Sequence, residues 1–234
     1  MEIQKDKKTA ILLGATGLVG GQLLQQLLDH PAYGRVVVLS RRPLKEVSPR
    51  LQVHLVDFDR PDDFAHLLKG EDLFCALGTT IKKAGSKEAF YQVDYTYTFE
   101  VAQAARKNGT AQLMLVSSVG ADPDSLFFYT RVKGELEEAL KALDFWALHL
   151  FRPSVLMGDR KEFRLGEELG GIVLGGIDRL TQGALLGSYR PVEAATVALA
   201  MLKAAQQLQP GIHLYPSHQI HQLAEDTKLW ITKQ

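Results

Sequence analysis

The run Gly14-Ala15-Thr16-Gly17-Leu18-Val19-Gly20 sets three glycines at three-residue intervals between an apolar stretch, Thr9–Leu13, and an apolar-periodic stretch, Leu18–Leu28. A strand that turns through glycine into a helix is the opening of a βαβ unit, and each glycine has its own task. Gly14 permits the tight turn, Gly17 lets the backbone approach a pyrophosphate, and Gly20 lets the helix pack close to the sheet. The N–H groups at Thr16, Gly17, Leu18 and Val19 then face an anion from the positive end of a helix, which needs no cationic side chain. The spacing alone is a weak signal in a chain with 20 glycines; the strand before it and the helix after it give it meaning.

The rest of the chain continues the alternation. Arg35–Ser40, Gln52–Asp57, Asp72–Gly78, Ala111–Ser118 and Phe145–Phe151 are apolar through most of their length, as strands covered on both faces are. Between them, Ser86–Lys107 and Phe127–Leu143 carry helical spacing, and Asn108-Gly109 closes the first of these. Val192–Gln207 is a further helix, Ile212–Tyr215 a short strand, and a last helical turn follows Pro216. The pattern predicts an α/β fold, a Rossmann-type doubly wound parallel sheet. At 234 residues, without a repeat or linker, it reads as one domain over 1–234. Arg152–Tyr189 loses periodicity and becomes rich in glycine and charge, the expected small substrate-facing region; Gly170-Gly171 and Gly175-Gly176 there bracket a lid, a helix contact or an oligomer patch.

Charge and cysteine content narrow the partners. Lys plus Arg number 27 against 27 Asp plus Glu, which removes the basic footprint of most nucleic-acid binders. Lys82-Lys83 and Arg160-Lys161 read as solvated pairs. A single cysteine, Cys75, excludes an internal disulfide and suits a reducing compartment, with the cytosol as the expectation. Cys75 itself lies within an apolar strand and reads as core. The polar start Met1–Thr9 and the lack of a long uncharged apolar segment argue against secretion and membrane spanning. His218 and His221 lack a third ligand nearby in sequence, so no metal is expected.

Which dinucleotide the loop would take depends on the end of the second strand. An acid there accepts from both ribose hydroxyls; arginine there pairs with a 2′-phosphate. The chain has Ser40-Arg41-Arg42-Pro43, so the phosphorylated form, NADP, is favoured. Asp57-Phe58, closing the third strand, either meet the adenine or, for Asp57, cap a helix beginning near Pro61. Leu77-Gly78-Thr79-Thr80 ends the fourth strand at the same edge, where a small backbone loop would line the cofactor.

Tyr129-Thr-Arg-Val-Lys133 puts a phenol and an ammonium on one helix face, just after a strand that ends in Ser117-Ser118. Reducing a carbonyl leaves charge on its oxygen, so a proton donor must lie within about 2.6–3.2 Å of it. Tyr129 is the candidate donor, and Lys133 would lower its pKa from the free phenol value near 10. Ser118, with Ser117 as fallback, would hold the substrate oxygen.

Taken together, these residues resemble the short-chain dehydrogenase/reductase superfamily in its atypical branch, and more narrowly the Tat-interacting-protein-like oxidoreductases. The resemblance runs through Gly14–Gly20, Arg41-Arg42, Leu77–Thr80, Ser117-Ser118-x-Gly120-Ala121-Asp122, Tyr129-x-x-x-Lys133-Gly134-Glu135 and Arg152-Pro-Ser-Val-Leu156. It implies NADPH held by Thr16–Val19, Arg41, Arg42, Leu77, Gly78, Tyr129 and Lys133, with Leu156 and Arg164 completing the site. One departure stands out. Many members carry a relay asparagine on the fourth helix, whereas the only asparagine here is Asn108, and the matching region reads Val93-Asp94-Tyr95. Two functions follow: an NADPH-dependent reductase of a small carbonyl compound, or an NADPH-binding regulator that contacts a protein partner through Arg152–Tyr189. A homodimer is compatible with either.

Overall fold

The computed structural model describes residues 7–157 and 191–226. Within them the sheet has seven parallel strands: β1 (Lys8–Leu13), β2 (Tyr33–Ser40), β3 (Leu51–Leu55), β4 (Asp72–Cys75), β5 (Gln112–Val116), β6 (Ala147–Arg152) and β9 (Gly211–Pro216), in the order β3-β2-β1-β4-β5-β6-β9. Two short strands, β7 (Leu156–Met157) and β8 (Val192–Glu193), pair parallel to each other as a separate ribbon.

Alternation along the strands builds two cores. Ala10, Leu12, Val36, Val38, Phe74 and Met114 face one side, where α1 (Leu18–Asp29) and α7 (Ala194–Gln207) pack on them. Ile11, Leu13, Val37, Leu39, Leu73 and Leu113 face the other, against α5 (Tyr97–Lys107) and the second half of α6 (Phe128–Lys141). Both faces of the five inner strands are covered, which is why their sequences are apolar nearly throughout, whereas the edge strands β3 and β9 stay partly exposed. The first turns of α6, with Tyr129 and Val132, belong to the opposite core cluster. The chain moves from β1 outward to β2 and β3, then crosses back to β4 on the other side of β1. That reversal opens a crevice at the carboxyl ends of β1 and β4, where open α/β sheets bind ligands.

Several boundaries move relative to the sequence reading. β3 stops at Leu55, β4 at Cys75 and β5 at Val116, so Asp57, Gly78, Ser117 and Ser118 all lie in loops at the crevice edge. Ser86–Lys107 is a succession of α4 (Lys87–Tyr91), a π-helical turn (Gln92–Thr96) and α5, with the Ser86 hydroxyl accepting from the Ala89 N–H at 3.0 Å as N-cap. Two short helices, α2 (Pro61–Phe64) and α3 (Ile81–Ala84), fill connections. The last element among the described residues is a nine-residue helix, α8 (Ser217–Glu225), rather than a turn. Arg164 and most of the segment assigned to substrate, residues 158–190, lie outside the described residues.

Candidate active site

The glycine turn is built by close approach of backbone to backbone. Gly14 has φ of 82°, and a Cβ there would lie 2.4 Å from the Ala76 carbonyl oxygen. A Cβ on Gly20 would lie 2.1 Å from the Gly14 carbonyl oxygen, so α1 can start only with hydrogen at that position. The Gly17 N–H donates to the Gly14 carbonyl at 2.8 Å. It closes the turn instead of facing an anion, which corrects one of the four amides assigned above. Gly17 is the N-cap of α1 with no side-chain cap, and no acidic side chain occupies the first turn. The helix start therefore keeps amides and positive dipole available to an anionic ligand.

On the β2 side of this turn lies a cavity of about 370 Å³ lined by Gly14, Thr16, Gly17, Arg41, Arg42 and Phe58, among others. Arg42 is fixed at its backbone by the Ser40 hydroxyl, which accepts its N–H at 3.2 Å. Phe58 presents little of itself, since its ring packs on Phe64 and Tyr97 at centroid distances of 5.6 and 5.4 Å. Asp57 does not line the cavity. Its carboxylate accepts the Asp59 N–H at 3.1 Å in a local turn, and the helix at Pro61 has Arg60 as N-cap without a side-chain cap, so Asp57 does not cap it. Gly20 also makes no part of the lining.

On the β5 side, a smaller cavity of about 80 Å³ is lined by Leu18, Val19, Asp94, Ser117, Tyr129, Lys133 and Leu156. Leu77, Gly78 and Thr79 line both spaces and join them into one trough. Tyr129 packs on Phe90 at 5.5 Å between ring centroids. Lys133 lies one helical turn further along the same face of α6, its Nζ 2.6 Å from Asp94 Oδ1 as a buried ion pair. Asp94 Oδ2 accepts the Thr79 N–H at 2.8 Å, which ties the π-helical turn to the loop that floors the trough. Burial pulls the Lys133 ammonium down, but Asp94, then Tyr129 and Glu137, outweigh it and hold the amine above the usual lysine value. Burial raises the Asp94 carboxyl, with Lys133 and the Thr79 N–H acting in the opposite direction.

The two serines exchange places relative to expectation. Ser118 is fully buried, donates to the Val119 carbonyl at 3.1 Å and does not line the cavity. Ser117 does line it, and its hydroxyl donates to Glu137 Oε1. Glu137 is held in turn by Arg152, whose Nε lies 3.0 Å from the same oxygen while Nη2 meets Oε2. A serine at the first loop position keeps its side chain toward the crevice, whereas the next residue turns into the protein. Glu137 was not singled out from sequence. Its signal is its place eight residues after Tyr129 and four after Lys133, on one stripe of α6. Gly134 lets that helix seat, since a Cβ there would lie 2.2 Å from the Asp122 carbonyl carbon.

Comparison with known proteins agrees with this geometry. A family described as NAD(P)H-binding matches residues 14–156. The chain belongs to that family. Among curated relatives of this NAD(P)H-binding protein, Protein HTATIP2 of Rattus norvegicus is 38% identical over 172 residues, covering 72% of this chain and 71% of the relative. Protein FMP52, mitochondrial, of Candida glabrata is 36% identical over 233 residues, covering 95% and 98%. These relatives place the chain in the atypical short-chain dehydrogenase/reductase branch. Among solved structures, UDP-glucuronic acid 4-epimerase from Bacillus cereus, in complex with UDP-glucuronic acid and NAD, superposes with a TM-score of 0.68 at 15% identity, covering 89% of this chain and 77% of that one. MoeE5 in complex with UDP-glucose and NAD gives 0.66 at 17%, covering 88% and 74%. At such identities the likeness is one of fold.

The cytosolic expectation does not stand. Several fungal relatives are named mitochondrial proteins. A lone thiol such as Cys75, fully buried with its pKa pushed up by burial, does not distinguish one compartment from another. No helix among the described residues is long and apolar enough to cross a membrane. No group of three or more metal-ligating side chains occurs among them, and His221 meets the Pro191 carbonyl at 3.2 Å.

Proposed function

We propose that this protein is an NADPH-dependent reductase of a small carbonyl compound, with Tyr129 as acid. The observation that carries the reading is that two adjoining cavities share one wall, Arg41 and Arg42 lining the first and Tyr129 and Lys133 the second. The residues fit a dinucleotide: the uncapped start of α1 offers amides to phosphate, Gly14 admits close approach, and Arg41 and Arg42, which line the same cavity, would pair with a 2′-phosphate.

When bound, the cofactor supplies two electrons as hydride. Tyr129 then donates its phenolic proton to the developing alkoxide and is left as phenolate, which the Lys133 ammonium stabilises. Lys133, held in place by Asp94, would also donate to the cofactor ribose. Ser117 differs from the anticipated orienting donor. With its own proton given to Glu137, it offers lone pairs to the cavity and so accepts from a ligand hydroxyl.

The Ser117–Glu137 contact favours a second reading, a slowly reacting NADPH-binding regulator, because that hydroxyl gives its proton to Glu137 rather than to a carbonyl oxygen. Tyr129→Phe discriminates. For a reductase it abolishes carbonyl-dependent NADPH oxidation across aldehyde, ketone and quinone panels while NADPH still binds. If wild-type protein binds NADPH yet oxidises it with no carbonyl, the reductase reading fails and the regulator stands. Cofactor choice has its own check in calorimetry. Arg41→Ala/Arg42→Ala should weaken NADPH by at least about tenfold and leave NADH nearly unchanged, since charge-assisted contacts to phosphate are worth about 1.5–3 kcal/mol each. Equal losses for both would reject the 2′-phosphate assignment.

A further inference from the structure

We propose that Lys83 is a cationic contact for the pyrophosphate of the bound dinucleotide, reaching over the trough opposite the start of α1. The proposal rests on the trough being the dinucleotide site.

Among the described residues, five line both cavities: Ala76, Leu77, Gly78, Thr79 and Lys83. Lys83 alone of these carries charge. The start of α1 spans the same junction, since Thr16 and Gly17 line the Arg41–Arg42 side and Leu18 and Val19 the Tyr129 side. A dinucleotide with its adenosine in one cavity and its nicotinamide in the other must pass its pyrophosphate through this junction. There it meets helix amides on one wall and Lys83 on the other.

Charge balance points the same way. The pyrophosphate carries two negative charges, and Gly14–Gly20 contains no cation. Of the other cations that line the two cavities among the described residues, Arg41 and Arg42 line only the adenosine side, and the ammonium of Lys133 is compensated by Asp94. The short helix α3 fixes where Lys83 starts from. The Thr80 hydroxyl accepts the Lys83 N–H at 3.2 Å, and Gly85 ends the helix at φ of 89° with its N–H on the Ile81 carbonyl. The preceding loop is anchored by the Thr79–Asp94 contact. Lys82, next to it and equally exposed, lines neither cavity and is an internal control.

The test is calorimetry on the full chain with NADPH, NADH and ADP-ribose, for wild type, Lys83→Gln, Lys82→Gln and the Arg41/Arg42 double variant. Lys83→Gln should weaken all three ligands by a common factor of about tenfold and flatten the salt dependence of binding by about one contact. Lys82→Gln should change none of them by more than about twofold. Both replacements lie on the surface, and matching thermal unfolding curves confirm that folding is intact. A loss confined to NADPH would move Lys83 to the ribose phosphate and overturn the proposal, as would no loss with any ligand. Absence of binding by the wild type would remove the trough reading itself and this proposal with it. Selective loss of NADPH in the arginine variant, with Lys83→Gln unaffected, would leave the trough reading standing and reject Lys83 alone.

Discussion

Lys133 and Asp94 meet at 2.6 Å inside the wall of the smaller cavity, with side chains only 5% and 1% exposed. A buried pair gains little over apolar packing, but removing one partner strands the other charge, at a cost of about 3–5 kcal/mol. Asp94→Asn should therefore lower thermal stability markedly even though the amide oxygen can still accept the Thr79 N–H. Lys133→Met should do the same. The double variant should recover part of the loss, giving a coupling energy above about 1 kcal/mol in a double-mutant cycle. Strictly additive losses in denaturant unfolding would show that the two charges do not depend on each other.

Gly20 and Gly21 are chain neighbours with opposite expectations. A Cβ on Gly20 would lie 2.1 Å from a backbone oxygen, so Gly20→Ala forces the start of α1 away from the Gly14 turn. It should lower stability and reduce dinucleotide affinity by at least about tenfold, because the helix amides that would face the phosphate move with it. On Gly21 the nearest atom, the Ala15 carbonyl oxygen, is 3.4 Å away, an ordinary contact. Gly21→Ala should leave binding intact and stabilise the helix by up to about 1 kcal/mol. Similar effects of the two replacements on melting temperature and NADPH titration would contradict this account of the turn.

The contrast between these glycines shows what the chain discloses before folding. Gly14, Gly17 and Gly20 were legible because a strand, a turn and a helix each impose their own local period, and the third glycine falls where the helix crosses the strand end. Strand identities were legible for the same reason, both faces being apolar, while their carboxyl ends were not. Nothing local in Asp72–Gly78 or Ala111–Ser118 says where a neighbouring strand stops pairing. Ser118 was preferred to Ser117 on that account, since one residue of register decides which hydroxyl faces the crevice. Asp94, Glu137 and Lys83 depend on segments brought together across the fold. Asp94 could be noted as an acid in an amide's place, but its ion pair with Lys133 needs the π-helical turn that aims it. Lys83 looks like half of a solvated pair until α3 carries it over the junction.

His149 provides a pH signature independent of the site. It is fully buried on β6, its ring stacked on His213 at 4.9 Å between centroids, with Nδ1 3.0 Å from the Tyr215 hydroxyl. Burial, and secondarily His213, lower its pKa from 6.5 to about 4. The folded protein thus keeps this imidazole neutral between those values while the unfolded chain protonates it. Unfolding then takes up a proton in that window, so stability rises with pH across it. The contribution is fully present above about pH 6.5 and is lost progressively as pH falls toward 4, up to about 3 kcal/mol in all. His149→Phe removes the titrating group while keeping a flat ring in the stack. Denaturant unfolding of wild type and variant between pH 7 and 4.5 should give curves that diverge, the wild type losing stability faster on acidification. Curves that stay parallel over that range would mean that His149 is protonated in the folded state, and that the stacked arrangement with His213 does not hold it neutral.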